Sequence, residues 1–144
     1  MTAEDVLLAL FEAINDRDLD RLELLHADDY ELVDEATGEV FRGPAGARRN
    51  NEGWLHAFPD LRWEPTNSIA RGDWACVEVV GRGTHSGSLQ IEGGKAAPSG
   101  RSFEIAVVTI ARAENGRLVE GRDYYDRAGF LVRLGVLPER IGRS

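Results

Sequence analysis

The stretch FEIAVVTIARAENGRLVEGRDYYD, Phe103 to Asp126, decides the fold. Two runs of alternating apolar residues flank Asn115-Gly116, and Asn-Gly between such runs is the strongest short-range hairpin signal. The pattern predicts strands over 101–113 and 117–126, closed by a two-residue turn. Working upstream, GSLQIEGGKAAPSG (87–100) is punctuated by glycine, proline and serine and reads as a loop. Strands are predicted before it near 61–70 and 74–85. The first half of the chain is helical. Thr2 and Asp5 form a capping-box pattern, followed by the stripe Val6, Leu7, Leu10, Phe11 and Ile14. A second helix is predicted near 18–26, and a third from Pro44, which suits a first helical turn, to about Ala57. YELVD (30–34) is short and β-like, TGEVFRG (37–43) is a turn with a short strand, and a last helix follows near 127–134. Helices first and then an antiparallel meander make an α+β fold, with the helices packed on one face of a curved sheet. Such a sheet with helices across its mouth encloses a cone, a natural small-molecule pocket.

The chain has 144 residues, the length of one domain spanning 1–144, with 42% hydrophobic and 29% charged residues. Its net charge of −8 argues against nucleic acid or an anionic membrane as partner, because like charges repel. Cys76 is the only cysteine, so there is no internal disulfide and no thiolate metal cage. The N-terminus MTAEDVLLALFEAI is acidic and lacks the basic start of a signal peptide, and no apolar run is long enough to span a membrane. These features predict a soluble, cytoplasmic protein.

The last strand raises the functional question, since it carries Arg122, Asp123 and Asp126 where a core would be apolar. Alternation puts Val119, Gly121, Asp123 and Tyr125 on one face, and Leu118, Glu120, Arg122, Tyr124 and Asp126 on the other. With Asn115-Gly116 as a regular turn, Asp123 pairs with Val108 and sits among Ala106 and Ile110. A carboxylate on an apolar face is costly unless paired or neutralised, and desolvation raises its pKa toward the range useful in acid–base catalysis. The other reading is a structural aspartate bonded to a helix. A one-residue bulge would reverse the assignment of faces. Leu118 and Tyr124, with the charges around them, suit an amphipathic contact between two copies, which predicts a homodimer.

The segments FPDLRWEP, GRGTHSGSL and PSGRSFEIAVVTIARAENGRLVEGRDYYDRAGFLVRLG together resemble the SnoaL-like polyketide cyclase family of the NTF2-like superfamily. The resemblance spans residues 3–136 and is densest over 81–135. It implies an NTF2-like cone and an acid–base aspartate at the position of Asp123. GRDYYD also resembles the last strand of limonene-1,2-epoxide hydrolase. That enzyme adds an arginine and a second aspartate on a middle strand, where this chain has Glu78 and Val80. Its water-holding tyrosine and asparagine fall near Leu32 and Asp34. The hydrolase relay is therefore absent as such.

Other candidates join Asp123. Asp34 is either a turn residue or a second polar group across the pocket. His85, in GTHSG, is either a satisfied loop-edge residue or a donor to a substrate carbonyl. Glu78 either pairs with Arg82 or points at Asp123, whose protonation it would then favour. Trp54, Phe58 and Trp63 are core residues where the third helix meets the sheet, or walls for a flat ligand, and Tyr125 supplies a further wall. His26 and His56 read as surface or helix-end residues. The three histidines are scattered and the acids lack ligand-like spacing, so no metal site is expected. No phosphate-binding loop, dinucleotide fingerprint or G-x-S-x-G is present. The leading expectation is a cofactor-free enzyme that moves protons next to a carbonyl of a small hydrophobic, polyketide-like molecule, for cyclisation or isomerisation. Epoxide hydrolysis and non-catalytic small-molecule binding are the alternatives.

Overall fold

The computed structural model describes residues 1–137, so the last seven positions of the predicted domain lie outside it. Helix α1 (Ala3–Asn15) begins as the capping pattern requires: Asp5 N–H donates to Thr2 Oγ1, and Thr2 N–H donates to Asp5 Oδ2. Its stripe of Val6, Leu7, Leu10, Phe11 and Ile14 is buried against the sheet. Each such side chain contributes about 1.5–3 kcal/mol relative to exposure. Short helix α2 (Leu19–Leu24) and helix α3 (Gly43–Ala57) complete the helical layer. Gly46 lets α3 lie against the preceding strand, since a Cβ there would come within 3.0 Å of the Phe41 backbone.

The sheet has six strands: β1 (His26–Asp34), β2 (Val40–Arg42), β3 (Arg62–Arg71), β4 (Trp74–Thr84), β7 (Ser102–Glu114) and β8 (Arg117–Tyr124). Their order is β2-β1-β8-β7-β4-β3. The expected loop at 87–100 contains a small separate hairpin, β5 (Leu89–Ile91) and β6 (Gly94–Ala96). Helix α4 (Arg127–Arg133) follows β8, capped by Asp126. The α+β architecture is as the sequence predicts. The sheet is mixed, however, because β1 pairs with β8 in parallel. The second helix stops at Leu24, and His26 already opens β1.

Asn115 and Gly116 form the expected turn, both with positive φ. Glu114 pairs with Arg117 and Ala113 with Leu118, after which the register slips by one residue at a β-bulge. Asp123 therefore pairs with Thr109, not Val108. The inner face of β7 carries Ile105, Val107, Thr109, Ala111 and Ala113, all buried, while Ala106, Val108 and Ile110 face outward. Asp123 keeps its expected strand-mates Gly121 and Tyr125 but acquires different cross-strand neighbours. Strict alternation places Leu118 on the outer face with Tyr124. It lies inside instead and is 1% exposed.

Candidate functional site

β1 and β8 bring two carboxylates together, because Asp34 and Asp123 are register partners across the parallel pair. Both line an inner cavity of about 50 Å³ between the helices and the concave face of the sheet. That volume has room for a few waters or a slender chemical group. Its walls are largely apolar and aromatic: Phe11, Tyr30, Trp54, Trp63, Val107 and Tyr125. Trp54 stands at the centre of an aromatic cluster, with ring centroids 5.8 Å from both Trp63 and Tyr125.

Among the described residues Asp123 has one side-chain donor, the Thr109 hydroxyl, 2.7 Å from its Oδ1. It is half-buried and lines the cavity. Burial pushes its pKa up from 3.8 to about 6, against the lowering effect of the Thr109 hydroxyl and with a smaller push from the charge of Asp34. Asp34 is satisfied differently. Its Oδ1 accepts the N–H groups of Ala36 at 3.0 Å and Thr37 at 3.2 Å, a turn-forming pattern. Its Oδ2 accepts the Tyr125 hydroxyl at 3.3 Å. Asp34 is thus both a turn residue and a polar wall of the cavity.

Two further cavity residues escape the sequence reading. Tyr30 lies on the face of β1 that also carries Leu32 and Asp34, and its hydroxyl has no protein partner among the described residues. Burial, reinforced by the charge of Asp123, holds its pKa far above the usual value, so the phenol stays a donor. His26 packs edge-on to Tyr30, 4.4 Å between centroids. Its Nδ1 lies 2.7 Å from the Leu22 carbonyl, which fixes that nitrogen as the N–H and leaves Nε2 an acceptor. Burial lowers its pKa to about 4, only partly opposed by that carbonyl, so the ring is neutral near pH 7. The signal for Tyr30 was its alternation with Leu32 and Asp34. The signal for His26 was hidden by extending the preceding helix over it.

Three predicted site residues lie elsewhere. Glu78 sits on the exposed convex face of β4, where Asn67 Nδ2 donates to its Oε1 at 3.0 Å. Arg82 pairs with Glu64 and Glu104 instead of Glu78. Phe58 is fully buried behind the cavity, among Trp54, His85, Phe103 and Phe130. His85 is fully buried beyond Phe58. The Ser99 N–H donates to its Nδ1 at 3.2 Å, and the Ser99 hydroxyl lies 3.0 Å from the same nitrogen. The glycines of GTHSG serve packing. Ser86 and Gly87 donate to the Ala57 carbonyl at the end of α3, and a Cβ on Gly87 would collide with the His56 carbonyl. His56 is exposed, 3.3 Å from Ser88 Oγ. Among the described residues, no group of three His, Cys, Asp or Glu side chains is placed to hold a metal. No described helix is long and apolar enough to cross a membrane.

Asp34, Asn50, Trp54 and Tyr125 also border a larger outer chamber of about 630 Å³. It opens between α3, the β5–β6 hairpin and Arg127. Trp54 and Tyr125 form the boundary between the two spaces.

Comparison with known proteins places this geometry in a family. AclR from Streptomyces galilaeus, described as a candidate hydroxylase, has a structure similar to this one with a TM-score of 0.79. It is 27% identical, over 97% of this chain and 85% of AclR. IdmH from Streptomyces antibioticus, a candidate polyketide cyclase, matches with TM-score 0.77 at 30% identity, over 94% of this chain and all of IdmH. A ketosteroid isomerase-like protein from Catenulispora acidiphila shares the fold at 20% identity and TM-score 0.77, over 95% of this chain and 96% of its own. No functionally curated protein matches the sequence. The family model for SnoaL-like polyketide cyclases matches residues 4–134, nearly the whole chain, and the protein belongs to that family.

Proposed function

We propose that the protein is a cofactor-free acid–base enzyme acting on a small hydrophobic carbonyl compound, with Asp123 as the proton carrier. Membership of a cyclase family supports cyclisation or isomerisation as the class of reaction. The observation that carries the reading is Asp123 itself: a carboxylate with one hydrogen-bond partner among the described residues, lining an aromatic-walled cavity, with a pKa raised to about 6. Such a group is largely ionised near neutrality yet holds a proton well enough to return it. Asp123 removes a proton from carbon next to the carbonyl, the electrons move onto the carbonyl oxygen, and the proton returns to carbon in the product. The Tyr30 hydroxyl is the donor suited to the enolate oxygen, since it is neutral and has no protein partner. The logic parallels that of ketosteroid isomerase, a standard illustration of carboxyl tuning by environment.

The hydrolase alternative loses its support here. Among the described residues the inner cavity is lined by no arginine or lysine, and Glu78 lies on the far side of the sheet. We also propose a homodimer, formed through the convex face. That face carries Ile69, Cys76, Val80, Val108, Ile110 and Tyr124, flanked by the ion pairs of Arg82 and Arg112.

The test is exchange of the acidic protons of β-tetralone in D₂O, followed by NMR. The wild-type protein should accelerate exchange, and Asp123→Asn should lower that rate by roughly 10²–10⁴-fold while leaving the circular dichroism spectrum intact. Equal rates for the two proteins would remove Asp123 from the chemistry. Diol formation from limonene oxide would favour water addition instead.

A further inference from the structure

The outer chamber is bordered by three cations, Arg49, Lys95 and Arg127, whose carboxylate partners are weak or absent among the described residues. Arg127 is the first residue of α4, and Asp126 fixes it in place by accepting the Gly129 N–H at 2.9 Å. Its side chain is only 15% exposed. One terminal nitrogen donates to the Tyr125 hydroxyl at 3.3 Å, and the other reaches the Gln90 carbonyl at 3.5 Å. Its sole carboxylate neighbour among the described residues is the exposed Glu92, at 3.5 Å, and its Nε is buried with no partner. Lys95, on β6, and Arg49, on α3, also border the chamber, and neither has a carboxylate within ion-pair distance among the described residues. Arg49 lies over the Phe41 ring instead, 5.2 Å from its centroid.

The acids at the same chamber are differently disposed. Asp34 is occupied by two backbone N–H groups and Tyr125. Glu52 leans on Arg48 at 3.9 Å, and Glu39 stands at the rim. The lining thus carries three cations and three carboxylates, a balance on a chain of net charge −8, and it is the cations that have the weaker partners. A partly buried guanidinium with a weak, exposed partner is suited to a planar anion, which it can bind with two parallel hydrogen bonds.

We propose that the outer chamber is a second subsite, built for the anionic end of a flat substrate: a carboxylate or an acidic enol on an aromatic frame. The inference rests on the proposed reading of Asp123, since the carbonyl end of the same molecule then passes Trp54 and Tyr125 into the inner cavity. Chain geometry bounds the length of the substrate. Asp123 and Arg127 are four positions apart, so their Cα atoms are at most ~14 Å apart. That bound limits the substrate to a frame of a few fused rings. The inner cavity, about 50 Å³, admits only the reacting edge of such a frame, whereas the outer chamber accepts its body.

The probes are 6-acetyl-2-naphthoate, which carries a ketone at one end and a carboxylate at the other, and its neutral primary amide. Calorimetric titration of the wild-type protein should show the acid binding roughly tenfold or more tightly than the amide, the range of a charge-assisted hydrogen-bond pair. Arg127→Gln should remove most of that preference. Lys95→Gln, an exposed substitution that cannot disturb the core, should reduce the preference by a smaller factor. Added salt should weaken binding of the acid and not of the amide. Asp123→Asn should preserve the preference, because the inner acid does not recognise the anionic end. The two ideas fail separately. If β-tetralone exchange is absent while the acid remains favoured, the subsite stands and the chemistry falls. Equal affinities for acid and amide, or a preference unaltered in both cation variants, would overturn the subsite even in an active enzyme.

Discussion

Asp123→Asn should stabilise the protein at neutral pH, and the gain should vanish in acid. The folded-state pKa of Asp123 is about 6 against an ordinary 3.8, chiefly because burial penalises the charged form. The folded protein therefore holds this proton over a pH range in which the unfolded chain has lost it. Below pH 3.8 both states are protonated, and the contribution favourable to folding is fully present. As pH rises from 3.8 toward 6 the unfolded state ionises first, and stability falls by about 1.4 kcal/mol per pH unit. Above 6 both states are ionised and the loss levels off, at about 3 kcal/mol in total. Asparagine has the same shape, carries no charge, and still offers Oδ1 to the Thr109 hydroxyl. Urea denaturation of both proteins at about pH 4 and about pH 7.5 isolates the effect. The stability difference, variant minus wild type, should move in favour of the variant by about 2 kcal/mol between the two conditions. A difference independent of pH would refute the raised pKa. A variant weaker by several kcal/mol at both conditions would instead mark Asp123 as a structural, well-paired group.

Asp34→Asn should move the acidic limb of the exchange-rate profile to lower pH, because it removes the negative neighbour that raises the pKa of Asp123. The displacement should be smaller than the effect of burial, the larger cause, and an unmoved limb would show that the two carboxylates are not coupled. Gly121→Ala would place a methyl group 3.3 Å from Leu32 Cδ1 and 3.4 Å from the Tyr30 hydroxyl. It should cost about 1 kcal/mol in a melting experiment and lower exchange roughly tenfold by displacing that donor, and full activity would release Tyr30 from its role. Light scattering should report about 32 kDa, twice the 15.9 kDa chain, and Tyr124→Glu should return the protein to monomer, since Tyr124 is 40% exposed on the face proposed to pair. A wild-type monomer at micromolar concentration would remove the dimer.

The parts of the fold that depend on local pattern were legible. The predicted strands at 61–70, 74–85, 101–113 and 117–126 fall within one or two residues of β3, β4, β7 and β8. The Thr2–Asp5 cap and the α1 stripe appear as written. Pairings that depend on distant contacts were not legible. Nothing in HADDYELVD announces a parallel partner some 90 residues away, because parallel pairing leaves no turn in the sequence to read. Glu78 illustrates a different limit. Its strand is apolar on both faces, with Ala75, Val77 and Val79 inside and Cys76 and Val80 outside, so periodicity alone does not say which face is the core. His85 looked available because small residues surround it, whereas those residues are small so that the loop can press against the end of α3.

The β-bulge connects these limits to the site. Leu118 and Asp123 both line the inner cavity, yet they are five positions apart. In a regular strand an odd separation puts two side chains on opposite faces. A straight β8 would thus bury Leu118 and expose Asp123, or the reverse. The one-residue slip between Arg112 and Ala113 changes the parity once, so that the apolar beginning of the strand fills the core and its polar end faces the cavity. It also brings Thr109, the only hydroxyl on the inner face of β7, opposite the acid, where regular pairing would have set Val108. Leu118-Val119, two buried apolar residues in succession, is the mark that this device leaves in the sequence. The doublet disturbs the alternation without a glycine or proline to signal it, so periodicity does not show that the carboxylate turns inward.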